Sequence, residues 1–306
     1  MTGPPPSPSA IIALCLGAAG AVLHVIAAIR LRGHFRRASP SQPGELPPLT
    51  LWRTVKPGVP ELARKLDALV AASRTDDQIL IGADSGSPEL AACEALRARH
   101  PERAIVVVAC EPDRAANPKI SKFIQMTPFA VHECWLLTDS EAMLDAEFVA
   151  GFRAEWAASG ADAQTAGYRF TGLRTGAQIL DAAPPLLTLW PGLMLAGRIR
   201  FTLGACNGVK AADIRAIGGW EVLADELAED HRLGALLAGA GKRIRLSRHV
   251  VTLDSDPPDW SAFARHQHRA AVTYRAAAPA GTLGLPLLHT PVLAAAITLL
   301  HPAWWK

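Results

Sequence analysis

The sequence predicts an α/β fold preceded by one membrane-spanning helix, and three observations support this. Short β-type runs alternate with helical patterns through the middle of the 306-residue chain. One run, AIVVVA at 104–109, is apolar throughout, as in a strand buried on both faces of a sheet. A separate apolar stretch near the amino terminus is long enough to cross a bilayer. We therefore expect a largely parallel sheet with helices on both sides, attached to an anchor.

Composition limits the classes of function. Half of the residues are hydrophobic and 19% are charged, which excludes a disordered chain. The net charge of +3 is too small to indicate a nucleic acid partner. The five cysteines are odd in number and form no C-x-x-C pair, so we expect no disulfide framework and a reducing compartment.

The apolar stretch at 10–29 is the predicted anchor. Its length corresponds to about 30 Å of helix, the thickness of the hydrocarbon core. A cleaved signal peptide is the alternative, but residues 1–9 contain no Lys or Arg. The basic residues follow the stretch instead, at Arg30, Arg32, Arg36 and Arg37. This pattern predicts that the chain after the anchor lies on the cytoplasmic side of the inner membrane.

The chain divides into four predicted parts. Residues 1–38 form the anchor, and the Pro-rich segment 39–48 is a linker. Residues 49–258 form the predicted α/β domain. Residues 259–306 combine a basic amphipathic helix with an apolar segment that prolines interrupt, which favours a re-entrant or surface-lying position; a short packed helix is the alternative.

Polar residues that follow the predicted strands are the first candidates for a site, because ligands bind beyond the carboxyl ends of strands. The predicted strands are 49–52, 79–83, 104–109, 134–138 and 250–253, and the predicted helices are 60–72, 88–100, 145–158 and 221–238. Asp84 follows one strand and is a candidate ligand for a nucleoside or a cap of the next helix. Asp139 and Glu141 follow another and are candidate ligands of Mg²⁺ or Mn²⁺, or again a cap.

Two further segments carry candidate chemistry. Asp230 lies in ADELAEDHRLG and is a candidate general base, although such runs commonly form a solvated helix face. The helical pattern at 260–278 carries Arg269, whose guanidinium suits phosphate oxygens, and the same basic face also suits anionic lipid headgroups.

The order of these motifs resembles one enzyme family. The succession ADSGSPE, NPKISKF, LTDSEAM, a Gly-rich turn with GGW, LAEDHRLG and HQHRAAVTYR, after an anchor, is similar to the membrane-anchored processive-type inverting glycosyltransferases. The similarity is greatest to the ceramide glucosyltransferase branch and the related bacterial hopanoid glycosyltransferases. It covers residues 10–275.

The resemblance implies a GT-A-type, Rossmann-like domain that binds a UDP-sugar. It implies the following roles: Asp84 contacts the nucleoside, Asn117 and Lys119 lie near the donor, Asp139 and Glu141 hold Mg²⁺ or Mn²⁺, Gln267 and Arg269 hold the pyrophosphate, and Asp230 is the base. The implied reaction transfers a hexose, with glucose the first expectation, to a hydroxyl of a membrane lipid such as ceramide or a hopanoid, with inversion.

The sequence departs from the family pattern at three places. Gly86 and Ser87 replace acidic residues, Glu141 replaces the usual Asp, and Ala270 replaces a Trp. Gln267 also precedes Arg269 by two residues rather than three. These departures leave an alternative open, a catalytically inactive homologue that binds lipid or partner proteins at the membrane.

Overall fold

The computed structural model describes residues 8–36, 47–254 and 259–300, which form two compact units. A helical unit contains the described residues of 8–36, 174–198 and 259–300, and a sheet unit contains 47–173 and 199–254. The predicted linker 39–48 lies almost wholly outside the described residues. The structure differs from the predicted continuous domain 49–258 in one respect, since residues 174–198 pack in the helical unit.

The sheet unit is built on a seven-stranded mixed sheet. Its strands, in spatial order, are β3 (Ala104–Cys110), β2 (Gln78–Asp84), β1 (Leu49–Thr54), β4 (Cys134–Thr138), β8 (Cys206–Lys210), β6 (Ala163–Thr165) and β9 (Ile244–Leu246). The first four are parallel, and β8 runs antiparallel to both of its neighbours. The five predicted strands are all present. The last of them, however, belongs to a second sheet of β5 (Ala142–Met143), β10 (Val251–Asp254) and β7 (Tyr168–Thr171).

Helices cover both faces of the large sheet, as predicted. One face packs against α2 (Leu62–Ala72), α3 (Pro88–Arg99) and α5 (Ala146–Ser159), and the other against α4 (Pro118–Met126), α8 (Ala211–Ala216) and α9 (Glu229–Gly239). The predicted helix 221–238 is wrong in its first half. A single 3₁₀ turn occupies Glu221–Leu223, and α9 begins only at Glu229.

Alternation within β1 shows why this sequence gives three layers. Leu51 belongs to the core on one face and Trp52 to the core on the other, and both are fully buried. Trp52 meets Phe123 of α4 at a ring-centroid distance of 5.5 Å, and Phe123 meets Trp220 at 4.7 Å. This aromatic cluster fixes α4 on the sheet.

The helical unit consists of α1 (Pro8–Arg36), α6 (Gly176–Asp181), α7 (Trp190–Ala196), α10 (Trp260–Ala277) and α11 (Pro279–Leu300), with a π-helical stretch at Pro185–Leu189 between α6 and α7. Within the described residues, two stretches are long and apolar enough to cross a membrane, Ile11–Arg36 and Gly176–Ala196. The first contains the predicted anchor, and the second was not predicted.

α11 packs against α1 through small residues. A side chain at Gly20 would overlap the Thr290 hydroxyl, and one at Gly17 would lie 2.7 Å from the Ala294 methyl group. The Thr290 hydroxyl also donates a hydrogen bond of 2.9 Å to the Leu16 carbonyl. α11 runs through Pro286 and Pro291 as one helix, which differs from the interrupted segment that the sequence predicts.

Candidate active site

Two of the predicted acids stand at the same edge of the sheet. Asp84 ends β2 and Asp139 directly follows β4, and both strands pair in parallel with β1. Neither acid is a helix cap, since Ser87 accepts from Leu90 N to cap α3 and Asp145 accepts from Phe148 N to cap α5. Their carboxylates are therefore available for other partners.

Helix α4 connects these two strand ends through two lysines. Asn117 caps the helix by accepting from the amides of Lys119 and Ile120 at 2.9 and 3.3 Å. Lys119 and Lys122 are three residues apart and share a face of the helix. The Lys122 ammonium lies 2.5 Å from Asp84 Oδ1, and the Lys119 ammonium lies 2.6 Å from Asp139 Oδ1.

The start of α9 joins the same cluster. Glu229 Oε1 lies 3.0 Å from the Lys119 ammonium, and Asn117 Nδ2 donates to Glu229 Oε2 at 3.2 Å. Asp230 follows Glu229 in the first helical turn, where the positive end of the helix dipole favours a carboxylate. The NPK motif thus braces the acids of β4 and α9 in this structure.

Gly204 lies between Asp139 and Asp230. A Cβ atom on Gly204 would stand 3.0 Å from Asp230 Oδ2 and 3.5 Å from Asp139 Oδ2, so both carboxylates face the same point. The surrounding loop is fixed on each side. Thr202 Oγ1 donates to the Asp230 carbonyl at 2.6 Å, and the Asp139 amide donates to the Ala205 carbonyl at 3.2 Å.

A second glycine allows α9 to approach this loop. A Cβ atom on Gly234 would overlap the backbone of Phe201 and Thr202. The helix therefore contacts the loop directly, one turn after Asp230. This close approach holds the Asp230 backbone against the loop.

Burial and neighbouring charge change how the cluster titrates. Burial, followed by the adjacent Glu229, raises the pKa of Asp230 to about 6. Burial also raises the pKa of Asp139, against the opposing effect of Lys119. Burial lowers the pKa of Lys119, but Asp139 and Glu229 outweigh it, and the net shift is upward. At neutral pH Asp230 is therefore ionised, with a pKa close enough to accept a proton.

Arg53 holds the backbone of the loop that carries Asp139 and Glu141, which we call the acidic loop. This residue of β1 is 1% exposed, and its Nη1 donates to the carbonyls of Asp139 and Ala142 at 2.7 and 2.8 Å, with a weaker contact to Ser140 O. Its Nε and Nη2 are buried without a hydrogen-bond partner. Burial lowers the pKa of Arg53 to about 10, so its guanidinium stays charged beneath the loop.

The negative charge of the acidic cluster is the reason why the predicted ligands fit a divalent cation. Within the described residues, no three His, Cys, Asp or Glu side chains gather as a metal site. Glu141 is paired with Lys56 rather than standing free. Three carboxylates, on Asp139, Glu229 and Asp230, nevertheless share the one ammonium of Lys119, which leaves excess negative charge. Asp139 and Glu141 offer the oxygen ligands that Mg²⁺ or Mn²⁺ takes together with phosphate oxygens, so the residues fit.

The remaining two predicted residues belong to the helical unit. Gln267 Nε2 donates to Asp181 Oδ1 at 2.8 Å, and His266 Nδ1 lies 2.7 Å from the same oxygen. Arg269 is exposed on α10. The pyrophosphate role of Gln267 and Arg269 remains a prediction.

A cavity of about 320 Å³ lies at the other end of the sheet unit. Its lining includes residues that precede β4, among them Val131 and His132, and residues that follow β8, among them Ala211 and Arg215. Because Asp139 follows β4, the cavity and the acidic cluster are at opposite strand ends.

Sequence reasoning missed several residues of the cluster. Lys122, Arg53 and Gly204 were not predicted. The spacing of Lys119 and Lys122 is visible in PKISK once a helix is assumed there, and would have indicated two cations on one face. Arg53 and Gly204 carry no comparable local signal, because their partners are distant in sequence.

Comparisons with known proteins concern the family and the fold of this chain. The family model described as Glycosyl transferase family 21 matches residues 14–304. No curated protein sequence matches the chain. Among solved structures, the mannosyltransferase PcManGT from Pyrobaculum calidifontis, in complex with GDP-Man and Mn²⁺, is 18% identical with a TM-score of 0.64, over 95% of this chain and 87% of that one. S. aureus TarS is 16% identical with a TM-score of 0.50, over 74% of this chain and 40% of its own.

These likenesses bear on fold and family separately. The structural neighbours confirm the predicted GT-A-like α/β fold. The family model spans nearly the whole chain. The protein is a member of glycosyltransferase family 21.

Proposed function

We propose that this glycosyltransferase moves a hexose, with glucose the first candidate, from UDP to a hydroxyl of a membrane lipid such as ceramide or a hopanoid. The observation that carries the proposal is the convergence of Asp139 and Asp230 on one point beside Gly204. A single displacement at the anomeric carbon requires that the carboxylate that would bind the donor, Asp139, and the carboxylate that would act on the acceptor, Asp230, lie close together.

Asp230 is the proposed base. Its raised pKa of about 6 leaves it ionised at neutral pH and able to take the proton of an attacking hydroxyl. The attack would proceed on the face of the sugar opposite the departing diphosphate and would invert the anomeric centre.

Asp139 and Glu141 are the proposed ligands of Mg²⁺ or Mn²⁺, which would neutralise charge on the diphosphate leaving group. The fold neighbour with GDP-Man and Mn²⁺ supports this type of donor and cofactor. Lys122 holds Asp84 at the end of β2, where we propose that the nucleoside lies. Gln267 and Arg269 are proposed to contact the pyrophosphate.

The membrane is the proposed location of the acceptor. The apolar helix α1 would anchor the chain in the inner membrane, with the sheet unit in the cytoplasm. Residues 47–173 and 199–254 both belong to the sheet unit, so the apolar helices α6–α7 between them would contact the membrane without crossing it. A tethered active site meets a lipid acceptor at high effective concentration. The same helices would also suit an inactive lipid-binding homologue, but such a protein would have no need of a half-buried acidic cluster held by Lys119 and Asn117.

The test is a transfer assay with purified protein in lipid vesicles. We expect incorporation of labelled glucose from UDP-glucose into a lipid product, loss of that product with EDTA, and recovery with Mn²⁺. Parallel reactions with GDP-mannose examine the donor that the fold neighbour binds. Absence of product with all donors, together with absence of UDP or GDP binding by calorimetry, would favour the inactive homologue.

A further inference from the structure

The Lys119 ammonium contacts oxygens from three parts of the sheet unit. It lies 2.6 Å from Asp139 Oδ1 after β4, 3.0 Å from Glu229 Oε1 of α9, and 3.5 Å from the Gly204 carbonyl. Carboxylate and carbonyl oxygens around a positive charge are also what a bound metal cation requires. In this arrangement the Lys119 ammonium takes the place that a metal cation would have among these oxygens.

This lysine is held rather than free to move. Its side chain is only 20% exposed, and its ammonium lies 5.9 Å from the centre of the Phe123 ring. Asn117 caps α4, the helix that carries Lys119. Asn117 also donates a hydrogen bond to Glu229, one of the two carboxylates that contact Lys119. The contact between Lys119 and the acids is therefore a fixed part of the site.

The arrangement has a consequence for metal binding. A divalent cation on Asp139 would lie close to the Lys119 ammonium, and repulsion between like charges is strong in a half-buried site. Glu141, the second predicted ligand, is likewise paired with a lysine, Lys56. Each carboxylate of the metal motif is thus already paired with one of the protein's own ammonium groups.

A nucleoside diphosphate removes this conflict. Its phosphate oxygens accept hydrogen bonds from a lysine ammonium, as in other phosphate sites. The same oxygens complete the coordination of a divalent cation that has only one or two protein carboxylates. Lys119 can then exchange Asp139 for the diphosphate while staying on α4.

We propose that Lys119 is an internal cation that occupies Asp139 in the donor-free enzyme, so that a divalent cation binds there only together with a nucleoside diphosphate. This inference rests on the proposed function, because it assumes that Asp139 is a metal ligand. It makes Lys119 a positioning residue that couples the binding of metal and donor.

The experiment measures Mn²⁺ binding to the full chain in detergent by electron paramagnetic resonance, with Mn²⁺ alone and with added UDP or GDP. We expect the wild-type protein to bind Mn²⁺ at least tenfold more tightly when the nucleotide is present. Lys119→Gln should bind Mn²⁺ alone at least tenfold more tightly than the wild type. Lys119→Arg, which keeps the charge, should resemble the wild type.

Lys242→Gln is the matched control. Lys242 lies in the same sheet unit and pairs with Asp213 at 2.5 Å, so its loss removes one ammonium away from Asp139. This variant should bind Mn²⁺ as the wild type does. Equal affinity in the control and in Lys119→Gln would overturn the proposal.

Two further measurements distinguish a failure of this proposal from a failure of the proposed function. Wild-type affinity for Mn²⁺ that is the same with and without nucleotide would also overturn the proposal, and this measurement needs no variant to fold. Failure of the wild type to bind either nucleotide would instead count against the proposed function, while the comparison of Lys119→Gln with wild type in Mn²⁺ alone would still decide whether Lys119 blocks Asp139.

Discussion

Asp230, the proposed base, carries a cost to stability. Its pKa is raised to about 6, above the value near 4 of an unfolded Asp, so ionising it in the folded protein is unfavourable. A raised carboxyl pKa stabilises the fold only below the unfolded pKa, and that contribution is lost as the pH rises through about 6. The residue proposed as the base therefore works against folding at neutral pH.

Asp230→Asn should abolish transfer while stabilising the fold. We expect at least a hundredfold loss of turnover, because the base is removed. We also expect a gain in the free energy of unfolding at pH 7.5 of at most about 3 kcal/mol, which shrinks toward pH 4. Initial rates and chemical denaturation at each pH measure both effects.

The control for this prediction is Asp225→Asn, which changes an exposed acid of the loop before α9. It should change neither quantity. In the wild type, kcat/KM should fall as the pH drops through about 6. A rate that is flat from pH 7 to pH 5 would contradict the role of Asp230.

Gly204→Ala tests the shared point between the two carboxylates. The added methyl group would stand 3.0 Å from Asp230 Oδ2 and 3.5 Å from Asp139 Oδ2, in the space where we propose that donor and acceptor meet. We expect at least a tenfold loss of kcat with little change in melting temperature. Gly239→Ala is the matched control, since nothing lies within 4 Å of its added Cβ, and it should retain full activity.

At the scale of the element, α4 organises the site. Its two lysines and its aromatic contact lie within the nine residues Pro118–Met126, and its N-cap, Asn117, comes immediately before them. One end of this helix fixes Lys119 on Asp139 and the middle packs Phe123 on Trp52. The acids at two strand ends are linked because one rigid helix lies across them.

In the helical unit, the corresponding element-scale feature is the contact of α1 with α11. Gly20→Leu should lower the melting temperature in detergent, because its side chain would overlap Thr290 Oγ1 and crowd the Leu287 carbonyl. Overpacking of this kind costs about 1–3 kcal/mol. Gly33→Leu on the same helix is the control, since an added Cβ atom at Gly33 would meet nothing within 4 Å, and this variant should melt as the wild type does. Equal melting of both variants would contradict the packing of α1 on α11.

At the scale of the whole molecule, the prediction concerns membrane orientation. Because Arg30, Arg32 and Arg36 follow the apolar part of α1, the sheet unit should lie on the cytoplasmic side. The protein expressed in a bacterial host should resist extraction at alkaline pH. An externally added protease should digest the sheet unit in inverted vesicles and spare it in intact spheroplasts. Digestion in spheroplasts would contradict the orientation.

The accuracy of prediction differs between parts of the chain for physical reasons. The strands β1 to β4 were predicted because each carries a mostly apolar run. The run at 104–109 is nevertheless not buried on both faces as expected, since β3 lies at the edge of the sheet and Ala104 and Ala109 are exposed. β6, β8 and β9 were missed because they are short, and β8 reads CNGVK, which lacks such a run. The helix predicted at 221–238 was too long because the acidic segment before Glu229 has helical composition but forms turns.

The sequence by itself determined the α/β class, the apolar anchor and the order of motifs, because each depends on local periodicity or on residues close together in the chain. Only the tertiary structure decided that Lys119 holds Asp139 and Glu229, that Arg53 lies beneath the acidic loop, and that Gly204 separates Asp139 from Asp230. These contacts join residues 20 to 110 positions apart, and no local pattern in the sequence shows which distant side chains a sheet edge and two helices bring together.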